Sequence, residues 1–292
     1  MLRLVLPKGS LEEQTLRLLE AADLRVRRGS SRDYHGTIED DRIDRVSILR
    51  PQEIPRYVQE GFFDIGITGR DWVEETGAQV DVLTSLEYAK GGVGQGVRVV
   101  LAVPVDHAAE RAADLAPGSR ISTEYPNLTK AHFDRLGIPV RVFESYGATE
   151  AKVPEIVDAI VDVAETGDTL RAHGMKIVET ILESEVQLIA NPAATTESTK
   201  RGAMDDVATL LLGALRAQGR VLIKLNVSED RLKELLEVLP AMKAPTVSPL
   251  AREGNYAVET VVEKSGVNTL IPMLKSHGAT DILELPISKI VP

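Results

Sequence analysis

The chain has no cysteine, a single tryptophan and only 4% aromatic residues. Without cysteine there is no disulfide scaffold, no thiolate metal site and no cysteine nucleophile. Positive charge is also short: 34 basic against 44 acidic side chains give a formal net charge of −10 at pH 7. That balance opposes a sequence-independent grip on a nucleic-acid backbone. Long apolar runs are missing too. The N-terminus reaches Pro7 after a handful of apolar residues, fewer than the roughly 7–15 of a secretory core. Elsewhere the longest uncharged apolar run, Val207 to Leu215, falls well below the roughly 18–20 of a membrane span. A soluble, cytoplasmic protein is therefore expected. No Gly-x-Ser-x-Gly elbow, His-Glu-x-x-His pair or Walker loop is present, so hydrolase and P-loop chemistries lose their support. The histidines (His35, His107, His132, His173, His277) show no metal-ligand spacing and read as surface or loop residues.

What is there is ample core material, 43% hydrophobic in 292 residues, enough for two domains or three small ones. The acidity is uneven: residues 1–218 hold 25 basic and 35 acidic side chains, residues 219–292 hold 9 of each. A boundary near 218 is expected from that shift. Through the first 215 residues, short apolar runs alternate with amphipathic stretches, which predicts α/β structure with a mostly parallel sheet. Strands are expected at Leu2–Leu6, Ile43–Leu49, Phe62–Thr68, Val97–Val103, Arg120–Thr123 and Val140–Phe143, and near Val163. Gly174–Thr180 and Val186–Ala190 read as a strand pair. Ser10 with Glu13 reads as a capping box opening the first helix. Ser198–Gln218 is the longest helical pattern. The tail then reads as βαββαβ, a ferredoxin-like split βαβ module.

One stretch carries the most chemistry: Ala159 to Leu170, an apolar strand with Asp162 near its end and then Glu165-Thr166-Gly167-Asp168-Thr169. Such a loop can turn backbone N–H groups and a helix N-terminus onto a phosphate, with Thr166 and Thr169 adding hydroxyls and Gly167 letting the backbone come close. Asp162 would then sit where a sugar's vicinal hydroxyls lie. The plainer reading is a strand-to-helix turn with Asp168 or Thr169 as N-cap. Lys8 and Gly9 after the first strand, Arg50 after the second, and Gly69 and Asp71 after the third all fall at strand ends, the edge where open α/β sheets bind ligands. Ser122-Thr123-Glu124-Tyr125-Pro126-Asn127 is another such loop, with Tyr125 able to stack on a base or simply to be buried. Ser145 to Glu150 is a third, where Glu150 is either a base or sugar contact or a helix-start acid.

These motifs in fixed order resemble the ATP phosphoribosyltransferase family in its long form, over essentially the whole chain. The resemblance rests on Pro7-Lys8-Gly9, Asp64 to Asp71, Ser122–Lys130, Asp158–Leu170 and Ala244 to Leu250. It implies a two-lobed, periplasmic-binding-protein-like catalytic core plus a C-terminal ferredoxin-like regulatory domain. Lobe I is expected at 1–91 and 186–218, lobe II at 92–185, and the histidine-binding domain at 219–292. It implies attack by adenine N1 of ATP on phosphoribosyl pyrophosphate in the first step of histidine biosynthesis, with Mg²⁺, feedback inhibition by histidine and a dimer or hexamer. By position, Asp162 and Glu165–Thr169 would take the ribose and 5′-phosphate, Lys8 and Arg50 the leaving pyrophosphate, and Thr246, Ser248 and Ala279 would neighbour the inhibitor. Most other phosphoribosyltransferases have two adjacent acids before the loop. Here Val161 precedes Asp162 and the other acid, Asp158, lies four back, which leaves open which acid meets the ribose. The glycine-rich stretch Lys90–Gly96 is less typical of the family. Two other readings stay open on the residues alone: a non-catalytic two-lobed sensor, and a phosphoribosyltransferase for another base.

Overall fold

Alternation of apolar strands with one-sided helices builds the first of the three larger sheets among the described residues. In the computed structural model, which describes every residue except Ser31, Lys90, Gly91, Gly94, Gln95, Ala241 and Lys243, the order begins β1 (Leu2–Pro7), α1 (Glu12–Ala21), β2 (His35–Gly36) and β3 (Ile43–Leu49). It continues with α2 (Ile54–Gln59), β4 (Ile65–Gly69), α3 (Arg70–Thr76) and β5 (Asp81–Leu86). The glycine-rich stretch singled out above lies partly outside the described residues. Here β6 (Tyr88–Ala89) pairs antiparallel with β7 (Gly92–Val93) ahead of a second large sheet. That sheet takes β8 (Val97–Pro104), β9 (Arg120–Thr123), α4 (Pro126–Leu136), β10 (Arg141–Glu144), β11 (Ala159–Ala164), α5 (Asp168–Ala172) and β12 (Met175–Ser184). The chain then continues through β13 (Val186–Ala190), α6 (Pro192–Thr195) and α7 (Ser198–Ala217).

The first sheet has the order β2-β3-β1-β4-β13-β5 and the second β10-β9-β11-β8-β12. Both are mixed rather than mostly parallel. Parallel β3, β1 and β4 meet antiparallel β13, and parallel β10, β9 and β11 meet antiparallel β8, on whose far side β12 pairs antiparallel in turn. The expected pairing of the 174–180 and 186–190 runs does not occur. β12 pairs with β8, whereas β13 pairs with β4 and β5. One intervening residue, Glu185, is too little for a hairpin turn, so the chain runs on from one sheet into the other. The Ser10–Glu13 capping box is also absent. The helix starts later, with Leu11 at the N-cap; Glu12 accepts the Gly9 amide at 3.4 Å while Glu13 pairs with Arg17. His132 is a further correction. It lies within α4, largely covered, with Nε2 3.0 Å from Glu179.

Contacts divide the chain into two units, Met1–Ala208 and Thr209–Pro292. In the second, β14 (Arg220–Ser228), α8 (Glu229–Val238), β15 (Thr246–Pro249), β16 (Asn255–Glu263), α9 (Val267–Ser276) and β17 (Thr280–Pro286) realise the expected ferredoxin-like βαββαβ order. The sheet order is β15-β16-β14-β17. Strict alternation along β14 turns Val221, Ile223, Leu225 and Val227 inward, against Leu235 of α8 and Leu270 and Leu274 of α9. Among the described residues, no helix is long and apolar enough to cross a membrane.

Within the first unit, α3 ties the two sheets together. Its Trp72 leaves the first sheet's layer to join the core of the second, where it stacks on Tyr125 at 4.5 Å between ring centroids. One turn on, the buried Glu75 carboxylate accepts the amides of Asn127 at 3.0 Å and Leu128 at 2.9 Å, at the N-terminus of α4. Burial holds Glu75 above the usual carboxylate range, and the two amides pull the other way. Replacing Trp72 by alanine removes the largest side chain of this seam and should cost about 3–5 kcal/mol, read as a lower denaturant midpoint. An unchanged midpoint would mean that the seam holds nothing together.

Candidate functional site

The carboxyl ends of β4 and β11 open on one cavity of about 430 Å³ in the first unit. Gly69, Asp71, Tyr125, Asp162 and the whole loop Glu165–Thr169 line it, so nine of the residues expected to act are brought together. Ser10, Pro51 and Gln52 from the first sheet's edge add to the wall, as do Ser184 and Glu185 where the chain passes between sheets.

The loop is shaped by Gly167. Its φ of +81° lies in the left-handed region, and a Cβ there would stand 2.9 Å from Ile177 Cδ1, so both backbone and space require glycine. Gly167, rather than Asp168 or Thr169, occupies the N-cap position of α5. The Thr166 hydroxyl donates to Asp168 at 2.6 Å, and Arg171 pairs with the same carboxylate. The Thr166 hydrogen bond, with Arg171 behind it, holds Asp168 below its ordinary range. A helix start leaves first-turn N–H groups without intrahelical partners, and these stand on the cavity wall beside the Glu165 and Asp168 side chains.

Asp162 presents a different environment. It is largely covered, and its Oδ1 accepts the Val163 amide at 2.7 Å. Burial, with help from the charges of Glu124 and Glu150, pushes its pKa up to about 6, against the pull of the Val163 amide and the Thr149 hydroxyl. Asp158 lies elsewhere. It precedes β11 at the strand's opposite end, where Arg120 holds it by Nη2 at 2.7 Å and by its backbone amide at 2.8 Å. Asp158 does not line the cavity, whereas Asp162 does.

Asp71 and Tyr125 are committed to each other. The Tyr125 hydroxyl donates to Asp71 Oδ2 at 2.7 Å and the Ser184 hydroxyl to Oδ1 at 2.6 Å, while the Asp71 amide donates back to Ser184 at 3.0 Å. Asp71 folds over its own helix start, and a Cβ on Gly69 would fall 2.0 Å from its Oδ1, which explains the glycine. Tyr125 is buried, and one ring face is covered by Trp72.

Lys8, Gly9, Arg50 and Glu150 are not among the lining residues. Lys8 Nζ sits 4.2 Å over the Tyr34 ring. Arg50 is exposed beside Gly9, close enough to Glu124 to favour its charged form. In the other unit, Thr246 and Ser248 lie exposed on edge strand β15, while Ala279 is buried just before β17 at the opposite edge.

Spacing along the chain does not single out Glu124, Gln52 or Ser184, all of which line the cavity. Glu124 lines the cavity, half-buried. Burial raises its pKa, with Lys152 and Arg50 opposing. Lys152 donates to Ser145 at 2.5 Å. The register of β9 against β11 is what brings Glu124 to the site, and no spacing along the chain signals it. Among the described residues, no group of three or more histidines or acids is placed to hold a metal.

The raised pKa of Asp162 has a sign. The folded form binds its proton more tightly than the unfolded chain does, so this contribution to stability is full below about pH 4 and is lost as pH rises through about 6. From about pH 5 to about pH 7.5 the ligand-free protein should lose roughly 1.4 kcal/mol that an Asp162→Asn variant does not lose. Parallel melting curves across that range check this, and identical slopes would contradict it.

Comparisons with known proteins agree with these features. Residues 50–213 match the family model HisG, ATP phosphoribosyltransferase, and residues 217–289 match the model of the HisG C-terminal domain. The chain is 46% identical over 290 residues to an ATP phosphoribosyltransferase of Koribacter versatilis, covering 99% of each. It is 45% identical over 293 residues to one of Desulforudis audaxviator, covering 100% of this chain and 99% of the relative. Among solved structures it resembles a chain of the ATP phosphoribosyl transferase (HisG:HisZ) complex from Thermotoga maritima, with a TM-score of 0.60 and 27% identity. That match covers 72% of this chain and 96% of the other.

Proposed function

The chain belongs to the ATP phosphoribosyltransferase family, and we propose from the geometry of its cavity how its residues perform that reaction. The enzyme condenses ATP with phosphoribosyl pyrophosphate, releasing pyrophosphate, in the step that opens histidine biosynthesis. The observation that carries the reading is the Gly167-turned loop and the covered Asp162 carboxylate on the wall of one cavity. The loop amides, with Thr166 and Thr169, take the 5′-phosphate, and Asp162 takes the ribose. Asp158, tied to Arg120 at the far end of the strand, stays out of the reaction.

Bond making by adenine N1 lags behind loss of pyrophosphate, so positive charge builds on the sugar ring, as in other glycosyl transfers. No general base is needed, because N1 offers its own lone pair. The protein's tasks are alignment, charge neutralisation and exclusion of water. Asp162 stands where the charge builds. Arg50, whose guanidinium makes no hydrogen bond among the described residues, is free to turn toward the leaving pyrophosphate, and Lys8 flanks it. Asp71 and Tyr125, held by each other, shape the cavity wall, and Glu150 adds negative charge near Asp162.

Catalysis in this family is metal-dependent, and magnesium is the ion proposed. The described residues offer no cage of their own. They fit an ion that arrives on the pyrophosphate and asks the protein for one carboxylate at most, which Glu165 or Asp162 at the wall can give. When bound, it neutralises charge on the leaving group.

Lobe I is read as 1–91 with 186–218, lobe II as 92–185 and the regulatory domain as 219–292; the membership of β13 in the first sheet supports the first division. Feedback inhibition by histidine is assigned to the ferredoxin-like domain, near Thr246, Ser248 and Ala279. These residues lie at opposite edges of one sheet, three strand spacings of about 4.8 Å apart. One histidine does not span that width, so the ligand is placed between copies of the domain, in a dimer or hexamer. A cytoplasmic location follows from the substrates.

A product assay with both substrates, with and without histidine, tests this reading. Asp162→Asn and Gly167→Val should each cost about 100-fold or more in turnover with the fold retained by circular dichroism; unmodified rates would refute the loop assignment. Removing residues 220–292 should abolish inhibition by histidine, and inhibition that persists would put the effector site elsewhere.

A further inference from the structure

Among the carboxylates that line the cavity, Glu124 stands next to Asp162 in strand register, and we propose that Glu124 and Asp162 together accept the two vicinal hydroxyls of the ribosyl ring. The inference rests on the placement of the sugar phosphate on the 165–169 loop and adds a substrate-binding residue to it.

Strand register supplies the geometry. β9 and β11 run parallel, with Ala159 beside Ile121, Ile160 beside Ser122 and Val161 beside Thr123. One step further along both chains are Asp162 and Glu124. Neighbours in register direct their side chains to the same face of a sheet, and both residues line the same cavity. The strand order β9-β11 thus puts side by side two acids that are 38 positions apart in sequence.

The pair is an expensive arrangement for a ligand-free protein. Both carboxylates are partly withdrawn from water, side by side on one cavity wall. Glu124 has no hydrogen-bond partner among the described residues; its favourable neighbours, Lys152 and Arg50, act on it through charge alone. Lys152 instead spends its hydrogen bonds on Ser145 and Ser122. A structural acid would be expected to carry a cation or amides, as Asp158 and Glu75 do. Two adjacent, poorly satisfied acceptors await donors.

The chemistry of the missing donors is narrow. Ionised carboxylates only accept, so phosphates are repelled from this corner. A vicinal diol offers two O–H donors on neighbouring carbons, matching two neighbouring acceptors. The same two negative charges then face the ring as it becomes cationic, which strengthens the contact in the transition state. Asp158 does not serve as this second acid, since it belongs to Arg120.

Glu124→Gln and Glu124→Ala test the proposal. In steady-state kinetics, KM for phosphoribosyl pyrophosphate should rise about tenfold while KM for ATP stays within about twofold. Competition against phosphoribosyl pyrophosphate is then measured with ribose 5-phosphate and its 2-deoxy and 3-deoxy analogues. The unmodified enzyme should discriminate against both deoxy sugars by about fivefold or more, and the variants should lose discrimination against at least one. The melting temperature of ligand-free Glu124→Gln at pH 7 should rise, where a merely structural acid would lower it. Full discrimination retained in the variants overturns the proposal, as does a change confined to the magnesium concentration needed for half-maximal rate. Should ribose 5-phosphate fail to compete in the unmodified enzyme while product still forms, the loop assignment itself is at fault.

Discussion

The site depends on α3 being shared. A seven-residue helix that begins at the edge of one sheet gives Trp72 to the core of the other and turns two acids, one helical turn apart, in the same direction. Asp71 takes the Tyr125 and Ser184 hydroxyls, and Glu75 caps the start of α4. Hydrogen bonds to a buried charge contribute about 1.5–3 kcal/mol each, so this seam fixes the β4 edge against the β9 and β11 edges. The cavity exists because those edges are held facing each other. Gly69 belongs to the same logic, since any side chain there would displace Asp71.

Against that fixed frame, the cavity wall is divided by charge preference. In the proposed reading, the backbone of the Gly167 turn and the start of α5 takes the phosphate. A strand's width away, Asp162 and Glu124 present acceptors and repel one. A sugar phosphate has the complementary division, anionic at one end and rich in hydroxyl donors at the other. Keeping two carboxylates half-covered, with no cation hydrogen-bonded to either among the described residues, costs stability in the protein without ligand, and burial raises the pKa of both. Storing that cost where a cationic sugar develops is the ordinary trade between stability and activity.

Much of this was legible in the residues. The Asp162–Thr169 loop, the strand ends at Gly69 and the βαββαβ tail follow from local pattern, because turn glycines and period-two alternation are local signals. What depended on pairing between distant strands was not legible. The 174–180 and 186–190 runs look like a hairpin, but β12 runs on to Ser184, and the single residue left before β13 carries the chain into another sheet. Asp158 and Asp162 look equivalent by composition. Only strand direction separates them, placing one at each end of β11. Tyr125 carried no sign that Trp72 would occupy its face, and Glu124 acquired significance only through register. The one helical histidine escaped as well, since nothing local announces that Glu179 of β12 stands opposite His132.

The central claim is that the backbone of residues 165–169 holds the terminal phosphate of the sugar. A crystal structure of the enzyme with phosphoribosyl pyrophosphate tests it most directly. The account predicts the 5′-phosphate within hydrogen-bond distance of the amides following Gly167, with the ring hydroxyls on the acid side of the cavity. A phosphate seated instead beside Lys8 and Arg50, with the 165–169 loop unoccupied, would contradict it.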